Sequence, residues 1–522
     1  MSLKREQAHD TGAPHVASAH AVPRYSYYAL LILSLVNFLN YIDRQVLPAV
    51  APVMLKDPAL KLTDAELGYM EAALLLSFTV LAPLFGRLGD RYPRAKLMAT
   101  AAVLWSFATA ATGVVDRLNF LPASLQLHIP LVNVTLVLSG VALALCAVRA
   151  CVGVGESAYS TITPSLIADY FPHHKRATAL GVFQAAIPMG FALGFVIGGV
   201  LAHFFGWRVA FMLVGVPGLL TAVLVWRLRE PRRGATEVSP QHESSREAVV
   251  KSSVETSRAT SDSVKRDAIE EGSGNTVKEE SSDKEESNYT VKEESALRTV
   301  ARILSTRDWL ISTAGYTALT AALGAFATWA TVVLVRDKGM NETSAAVTLG
   351  VVTLLAGATG TFGGGWLADR VAARRHNGYF LVCAVSTLVG VVPTLLVLIA
   401  DDPRVFLPCI FLAVALLFTS NAPFHAILLE SVPFSVRAMA VALNIVIIHA
   451  FGDAISRAAV GVLSDSLKEG HFPALSSLAQ LIGIDSARQH LTTALLIAPA
   501  ALVVSTTLFF VGAKLQKRQA AR

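Results

Sequence analysis

GRLGDRYPRAK (Gly86–Lys96) and GGWLADRVAARR (Gly364–Arg375) are two versions of one turn: a glycine, three residues, an Asp-Arg pair and a basic tail. Each follows an apolar run of roughly the 20 residues that cross a bilayer as helix, and each precedes another such run. A second pair stays in step, because DYFPHHKRATALGVF (Asp169–Phe183) and ESVPFSVRAMAVAL (Glu430–Leu443) share an acid, a proline, an arginine and a run of small residues. The chain therefore reads as one unit written twice. Parallel repeats of this kind predict two bundles related about the membrane normal, with a site between them near the midplane.

Composition agrees. Of 522 residues 53% are hydrophobic and only 16% charged, with a mean hydropathy of +0.52. A soluble domain averages about 25% charged residues, so this chain cannot coat a water-facing surface. No run shows the alternation of a β-barrel strand, whereas helices satisfy their own backbone in hydrocarbon. Twelve spans are expected, at about 26–49, 66–87, 95–115, 140–168, 176–203 and 208–228, then about 308–335, 343–367, 379–399, 405–430, 437–463 and 491–513. The domain plan is a tail over 1–25, a first bundle over 26–230, a linker over 231–300, a second bundle over 301–513 and a tail over 514–522. Within the linker TVKEESSDKEESNYTVKEES (Thr276–Ser295) repeats itself; such polar, charged composition predicts a disordered tether open to phosphorylation.

The net charge of +6 is gathered at helix ends: Arg87, Arg91, Arg94 and Lys96, then His173 to Arg176, Arg227 to Arg233, Arg370 to Arg375, and Lys514 to Arg518. The positive-inside rule puts those ends, both termini and the linker in the cytoplasm, in the plasma membrane if the host is bacterial. It also removes the argument for a nucleic-acid partner. The polar N-terminal stretch has no signal-peptide core, so the first span is expected to direct insertion. Cys146, Cys151, Cys383 and Cys409 lie in or beside apolar runs without metal-ligand spacing, so no metal or cofactor is expected. The chain carries no HExxH, GxSxG, P-loop or CxxC, which argues against an enzyme and against ATP-driven pumping.

The charges inside the membrane carry the chemistry. Arg149 and Glu156 lie either side of the middle of span four, and each costs roughly 2.5–3.5 kcal/mol on insertion scales. Seven residues is nearly two turns, so they share a face about 10 Å apart. Helical side chains lean toward the N-terminus, so Glu156 tilts toward Arg149 while Arg149 tilts away. Arg149 is therefore expected to seek an acid elsewhere, first Asp43 and second Glu71, with Gly153 and Gly155 letting a neighbouring helix approach. Adjacent Asp43 and Arg44 point about 100° apart, and Asp43 is expected to face the cavity. In span eleven His449, Asp453 and Arg457 recur every fourth residue; Asp453 and Arg457 are expected to satisfy each other, leaving His449 to meet a head group. His425 is a weaker candidate. The second half otherwise offers Phe326, Thr328, Trp329 and Phe418, so the cavity is expected to be charged on one side and apolar on the other. In span five Pro188, Gly190, Gly194, Gly198 and Gly199 read as a close-packing face.

The G-x-x-x-D-R turn with its echo resembles the major facilitator superfamily. NYIDRQVLPAV (Asn40–Val50), RACVGVGESAYSTITPSLIADYF (Arg149–Phe171), FGWRVAF (Phe205–Phe211) and HAFGDAISRAAVGVLSD (His449–Asp465) resemble the Spinster family within it. The likeness covers both halves but neither the linker nor the long loop at about 464–490. It implies an all-α membrane protein of the major facilitator fold, with about twelve transmembrane helices in two pseudo-symmetric six-helix bundles. It further implies a monomeric, alternating-access, proton-coupled carrier of an amphipathic lipid with an anionic or zwitterionic head, of the lysophospholipid or sphingosine-phosphate class. Arg149, Asp43, His449 and Asp453 are then the expected substrate residues, Glu156 with Asp43 the proton site, and Glu71, Arg44, Arg457 and His425 the secondary candidates. Asp90, Arg91, Asp369 and Arg370 would form the cytoplasmic gate, stiffened by Pro93 where many members have glycine. A carrier of small organic anions or drugs, and a lipid sensor that does not transport, are the competing readings.

Overall fold

A computed structural model of the chain describes residues 22–117, 124–129, 134–233, 296–433 and 436–520. The expectations for the N-terminal tail before residue 22 and for the linker over 234–295 lie outside these residues. Ten described helices are long and apolar enough to cross a membrane. One of them holds two spans, and the 19-residue α3 (Arg94–Thr112) completes the expected twelve.

The first half comprises α1 (Arg24–Lys56), α2 (Asp64–Arg91), α3, α4 (Gly140–Tyr170) and α5 (His173–Trp226). The second comprises α6 (Ala296–Leu304), α7 (Arg307–Arg336), α8 (Glu342–Ala372), α9 (Gly378–Ile399), α10 (Pro403–Thr419) and α11 (Asn421–Glu430). It continues through α12 (Arg437–Ile447), a π-helical segment Ile448–Ala454, α13 (Ile455–Lys468), α14 (Pro473–Leu481), α15 (His490–Ala494) and α16 (Ile497–Ala520). α10 with α11 forms one span, as do α12 through α13 and α15 with α16. The starts are set by local chemistry. Thr63 and Glu66 form a reciprocal capping box on α2, at 3.2 and 3.1 Å. Ser139 caps α4, Asn341 caps α8, and Asp402 with Pro403 opens α10.

α5 turns back on itself at Gly206, whose φ of 80° and ψ of 159° no side-chain-bearing residue adopts comfortably. The next two residues fasten the bend. Trp207 Nε1 and Arg208 Nη1 donate to Asp57 Oδ2 at 2.9 and 2.7 Å, and Arg208 Nη2 reaches Asp116 Oδ2 at 2.5 Å. Burial works against the charge on Asp57, but the hydrogen bonds from Trp207, the Ala59 amide and Arg208 outweigh it and hold the carboxyl below its usual range. The FGWR stretch is thus a joint between spans five and six. Gly206→Ala is expected to destabilise the protein by about 1–3 kcal/mol, read as a lower melting temperature in detergent.

Three local features differ from the sequence reading. An antiparallel hairpin, β1 (Ser124–Ile129) and β2 (Val134–Ser139), fills a stretch assigned no element. α6 begins at 296, inside the range read as linker up to 300, and its Ile303 is buried in the core. α14 occupies part of the loop at about 464–490, and α13 runs five residues past the expected 463.

α1 packs on α5, α2 on α4, and α3 on both α4 and α5; in the second half α16 packs on α7 and α9, and α8 on α10. The halves meet chiefly through α2 with α13 and α5 with α8. One end of the bundle carries the basic turns and the start of α1, and is called here the basic end. At the opposite end the halves are bound by ion pairs centred on Asp64. Its carboxylate accepts both Arg336 Nη atoms at 2.8 and 2.9 Å, Lys468 Nζ at 2.8 Å and Ser464 Oγ at 2.7 Å. Lys56 pairs with Glu342 at 2.8 Å, and the Ala65 amide donates to Asp465 at 2.7 Å.

Candidate functional site

Between the halves lies a cavity of about 750 Å³ that reaches toward the basic end between Gly181 and Gln184 of α5 and Thr361 and Phe362 of α8. One wall is charged, with Arg44, Glu71, Arg149, His449, Asp453 and Arg457; the other carries Phe191, Leu323, Leu354, Phe362 and Phe418. From Leu323 and Phe418 the apolar wall continues into a mostly apolar bay of about 210 Å³ lined by Phe195, Phe326, Ala330 and Val414, with Asp453 and Arg457 shared between it and the charged wall.

The charged wall depends on close helix approach. A Cβ on Gly153 of α4 would lie 2.2 Å from the Leu74 carbonyl oxygen of α2, and one on Gly155 would lie 2.6 Å from the Ala101 carbonyl oxygen of α3. Without side chains there, α2 comes near enough for Glu71 Oε1 to accept from Arg149 Nη2 at 3.3 Å. The other oxygen, Oε2, accepts from Arg457 Nη1 of α13 at 2.5 Å. Glu71 is 3% exposed and Arg149 fully buried, so one carboxylate joins an arginine from each half inside the protein. Arg457 Nη1 also donates to Thr328 Oγ1 at 3.0 Å, and Trp329 Nε1 donates to the Arg457 carbonyl at 3.0 Å.

Glu156 is paired elsewhere. Its Oε2 accepts Arg44 Nε at 2.5 Å, and the Arg44 guanidinium lies 5.0 and 4.9 Å from the Tyr41 and Phe78 ring centroids. Asp43, 3% exposed, accepts from Thr109 Oγ1 of α3. In the π-helical segment His449 Nδ1 and Asp453 Oδ2 are 2.9 Å apart, and the His449 ring stands edge-on to Phe78 across the two halves.

Four expectations are corrected. Arg149 meets Glu71, the second choice, and not Asp43, because Thr109 gives Asp43 a donor on the far side of α1. Arg44 rather than Asp43 forms the cavity wall, since adjacent residues face different ways and the rings of Tyr41 and Phe78 hold the guanidinium there. Asp453 pairs with His449 and not with Arg457. Arg457, three residues past the π-helical segment, is taken by Glu71 of α2 and Thr328 of α7. Glu156 leans on Arg44, not Arg149. His425 lies outside the cavity lining and packs against Tyr316 and Phe424.

The Asp-Arg turns are held from within their own halves in this conformation. Arg233 donates to the carbonyls of Gly89 and Tyr92 at 2.8 and 3.1 Å, and Arg94 pairs with Asp169 at 2.7 Å and Glu230 at 3.2 Å. Asp369 accepts from Tyr379 at 3.2 Å, and Arg370 lies over the Trp366 ring at 5.3 Å. Sequence reasoning missed the Asp64 cluster. Asp64 directly follows the capping Thr63, and its partners Arg336 and Lys468 lie hundreds of residues away along the chain.

Comparison with known proteins fits this geometry. Residues 33–456 match the Major Facilitator Superfamily. Protein spinster homolog 3 of Danio rerio is 28% identical over 478 residues, covering 88% of this chain and 81% of its own. The sphingosine-1-phosphate transporter SPNS2 of Danio rerio is 27% identical over 497 residues, covering 92% and 83%. The crystal structure of a bacterial homolog of the human lysosomal transporter Spinster, inward-facing and unoccupied, superposes with a TM-score of 0.69 at 17% identity, over 95% of this chain and 98% of that one. The chain thus belongs to the major facilitator superfamily, as a Spinster-like secondary transporter that crosses a membrane many times.

Proposed function

We propose that the protein moves an amphipathic lipid with an anionic or zwitterionic head, of the lysophospholipid or sphingosine-phosphate class, by proton-coupled alternating access. The observation that carries this reading is a single cavity with arginines from both halves on one wall and an apolar bay leading off the other. A guanidinium in a buried wall suits a phosphate or carboxylate, and the bay suits an acyl chain. With the basic end in the cytoplasm, as the positive-inside rule directs, the conformation described is sealed outside and open inward. Alternating access then requires the Asp64 cluster to part while the Asp90-Arg91 and Asp369-Arg370 turns bring the basic end together, in a monomer. The similarity to a named sphingosine-1-phosphate transporter supports the substrate class.

Proton coupling rests on Glu156. Its charge is balanced by Arg44 at 2.5 Å, and a proton on Glu156 would free Arg44, which lines the cavity. Asp43, one residue before Arg44 on α1, is a second proton acceptor able to move the same helix. The test is uptake of labelled lysophosphatidylcholine and lysophosphatidate into proteoliposomes with and without an imposed proton gradient. Wild type is expected to respond to the gradient several-fold. Glu156→Gln, neutral at every pH, is expected to keep downhill flux and lose the response. Uptake of small organic anions with no lysolipid flux would replace this reading with that of an anion carrier. Lysolipid binding without flux would make it a sensor.

A further inference from the structure

We infer that Arg149 and Arg457 form one anion-binding site built from both halves, which Glu71 fills with its own carboxylate until a substrate phosphate displaces it. The inference deepens the lipid-transport reading and rests on it for the identity of the tail, though not for the anion chemistry.

Three observations converge. The Glu71 carboxylate takes one hydrogen bond from each arginine, at 3.3 and 2.5 Å, so its two oxygens stand where two oxygens of a phosphate would stand. Both guanidinium groups retain buried N–H nitrogens without an acceptor among the described residues: Nε and Nη1 of the fully buried Arg149, and Nε of Arg457. A buried donor left unpaired costs about 1–3 kcal/mol, and a carboxylate has too few oxygens in the right plane to reach them all. A phosphate monoester has three terminal oxygens and more charge, and arginine forks match it well. The acids that could compete are engaged elsewhere: Glu156 with Arg44, Asp43 with Thr109, and Asp453 with His449.

Glu71 then acts as a positioning residue. It keeps the two arginines from repelling one another when the site has no substrate, and it ties α2 to α13 across the halves. A head group that replaces it takes over that tie, bridging Arg149 of the first half to Arg457 of the second. Zwitterionic heads, whose phosphate carries one negative charge near a fixed cation, should compete less well with Glu71 than phosphate monoesters.

The test is equilibrium binding to the purified full-length protein in detergent, with lysophosphatidate, lysophosphatidylcholine and inorganic phosphate as probes. Glu71→Gln keeps the shape but not the charge, and is expected to tighten lysophosphatidate binding at least tenfold, with a smaller gain for lysophosphatidylcholine. Glu71→Asp, one methylene shorter and unable to reach both arginines, is expected to fall between, and serves if the glutamine variant folds poorly. Adding Arg457→Gln to Glu71→Gln should reverse the gain. Unchanged or weaker lysophosphatidate binding in both Glu71 variants, at normal melting temperature, overturns the inference even if wild type transports lysolipid. Tighter binding of inorganic phosphate by Glu71→Gln, with no lysolipid bound by any variant, supports the anion site and sinks the lipid reading instead.

Discussion

Arg149→Leu is expected to lower lysolipid uptake at least 100-fold while the protein still inserts and folds, whereas Arg149→Lys keeps a measurable fraction. The size follows from burial. Truncating one partner of a buried, hydrogen-bonded charge pair at a binding surface costs about 2–5 kcal/mol of affinity, and each 1.4 kcal/mol is a factor of ten. Here the fold is partly spared, because Glu71 keeps Arg457 at 2.5 Å and its charge stays compensated. What the leucine removes includes the pair of donors, Nε and Nη1, that have no acceptor among the described residues. Lysine restores the charge but not the planar fork, so it should bind the head as a point charge and with less geometric preference. Uptake rates should be compared alongside melting temperatures. A leucine variant that transports near the wild-type rate would show that the head group is recognised elsewhere, with the wall of Arg44 and Arg457 as the next place to look.

How far the sequence could be read depended on whether a feature is local. The apolar runs, the helix caps and the doubled Asp-Arg turns are each written within a few residues, and the expected breaks fall close to those found. The division of α5 at Gly206 is the clearest example, with expected spans ending at 203 and restarting at 208 around it. Partner choice is different. Helical period says that Arg149 and Glu156 share a face, but not that Glu71, 78 residues from Arg149 along the chain, stands opposite one and Arg44 opposite the other. Side-chain lean sent Arg149 to an acid on another helix, as found, but it tilted Glu156 toward Arg149, whereas α1 supplies Arg44 instead. The every-fourth-residue argument did not say which neighbour Asp453 would take: His449 closes on it within residues 448–454, which wind as a π-helix, while Glu71 of α2 takes Arg457. Nothing in HAFGDAISR signals that change of pitch apart from a glycine flanked by a buried charge network. Asp64 was obscured by an adequate local role at a helix start, so its bonds to residues more than 250 positions away left no trace in its own neighbourhood.

Asp64→Asn should unlock the end opposite the basic turns. The carboxylate is 1% exposed and receives four hydrogen bonds from Arg336, Ser464 and Lys468, all in the second half. Asparagine keeps the volume and one acceptor, but leaves Arg336 and Lys468 as neighbouring cations without a shared counter-charge. Both cations are partly solvated, with side chains 35% and 41% exposed, so water recovers part of the loss. A net change of about 2 kcal/mol is reasonable for charge-assisted bonds of this exposure, which shifts a two-state equilibrium roughly 30-fold. The measurement is the distance distribution between spin labels at Ala59 and Glu469, one on each half and both exposed at that end, in a background lacking the four native cysteines. Wild type should show one short distance, and Asp64→Asn a second, longer population. Adding Arg336→Gln should change little further, since its partner is already gone; a fully additive effect would mean the two residues act independently. An unaltered distribution in Asp64→Asn would show that helix packing alone seals this end. The close approach of Gly461 on α13 to the Asp64 backbone, where a Cβ would lie 2.3 Å from the carbonyl oxygen, would then be the contact to break.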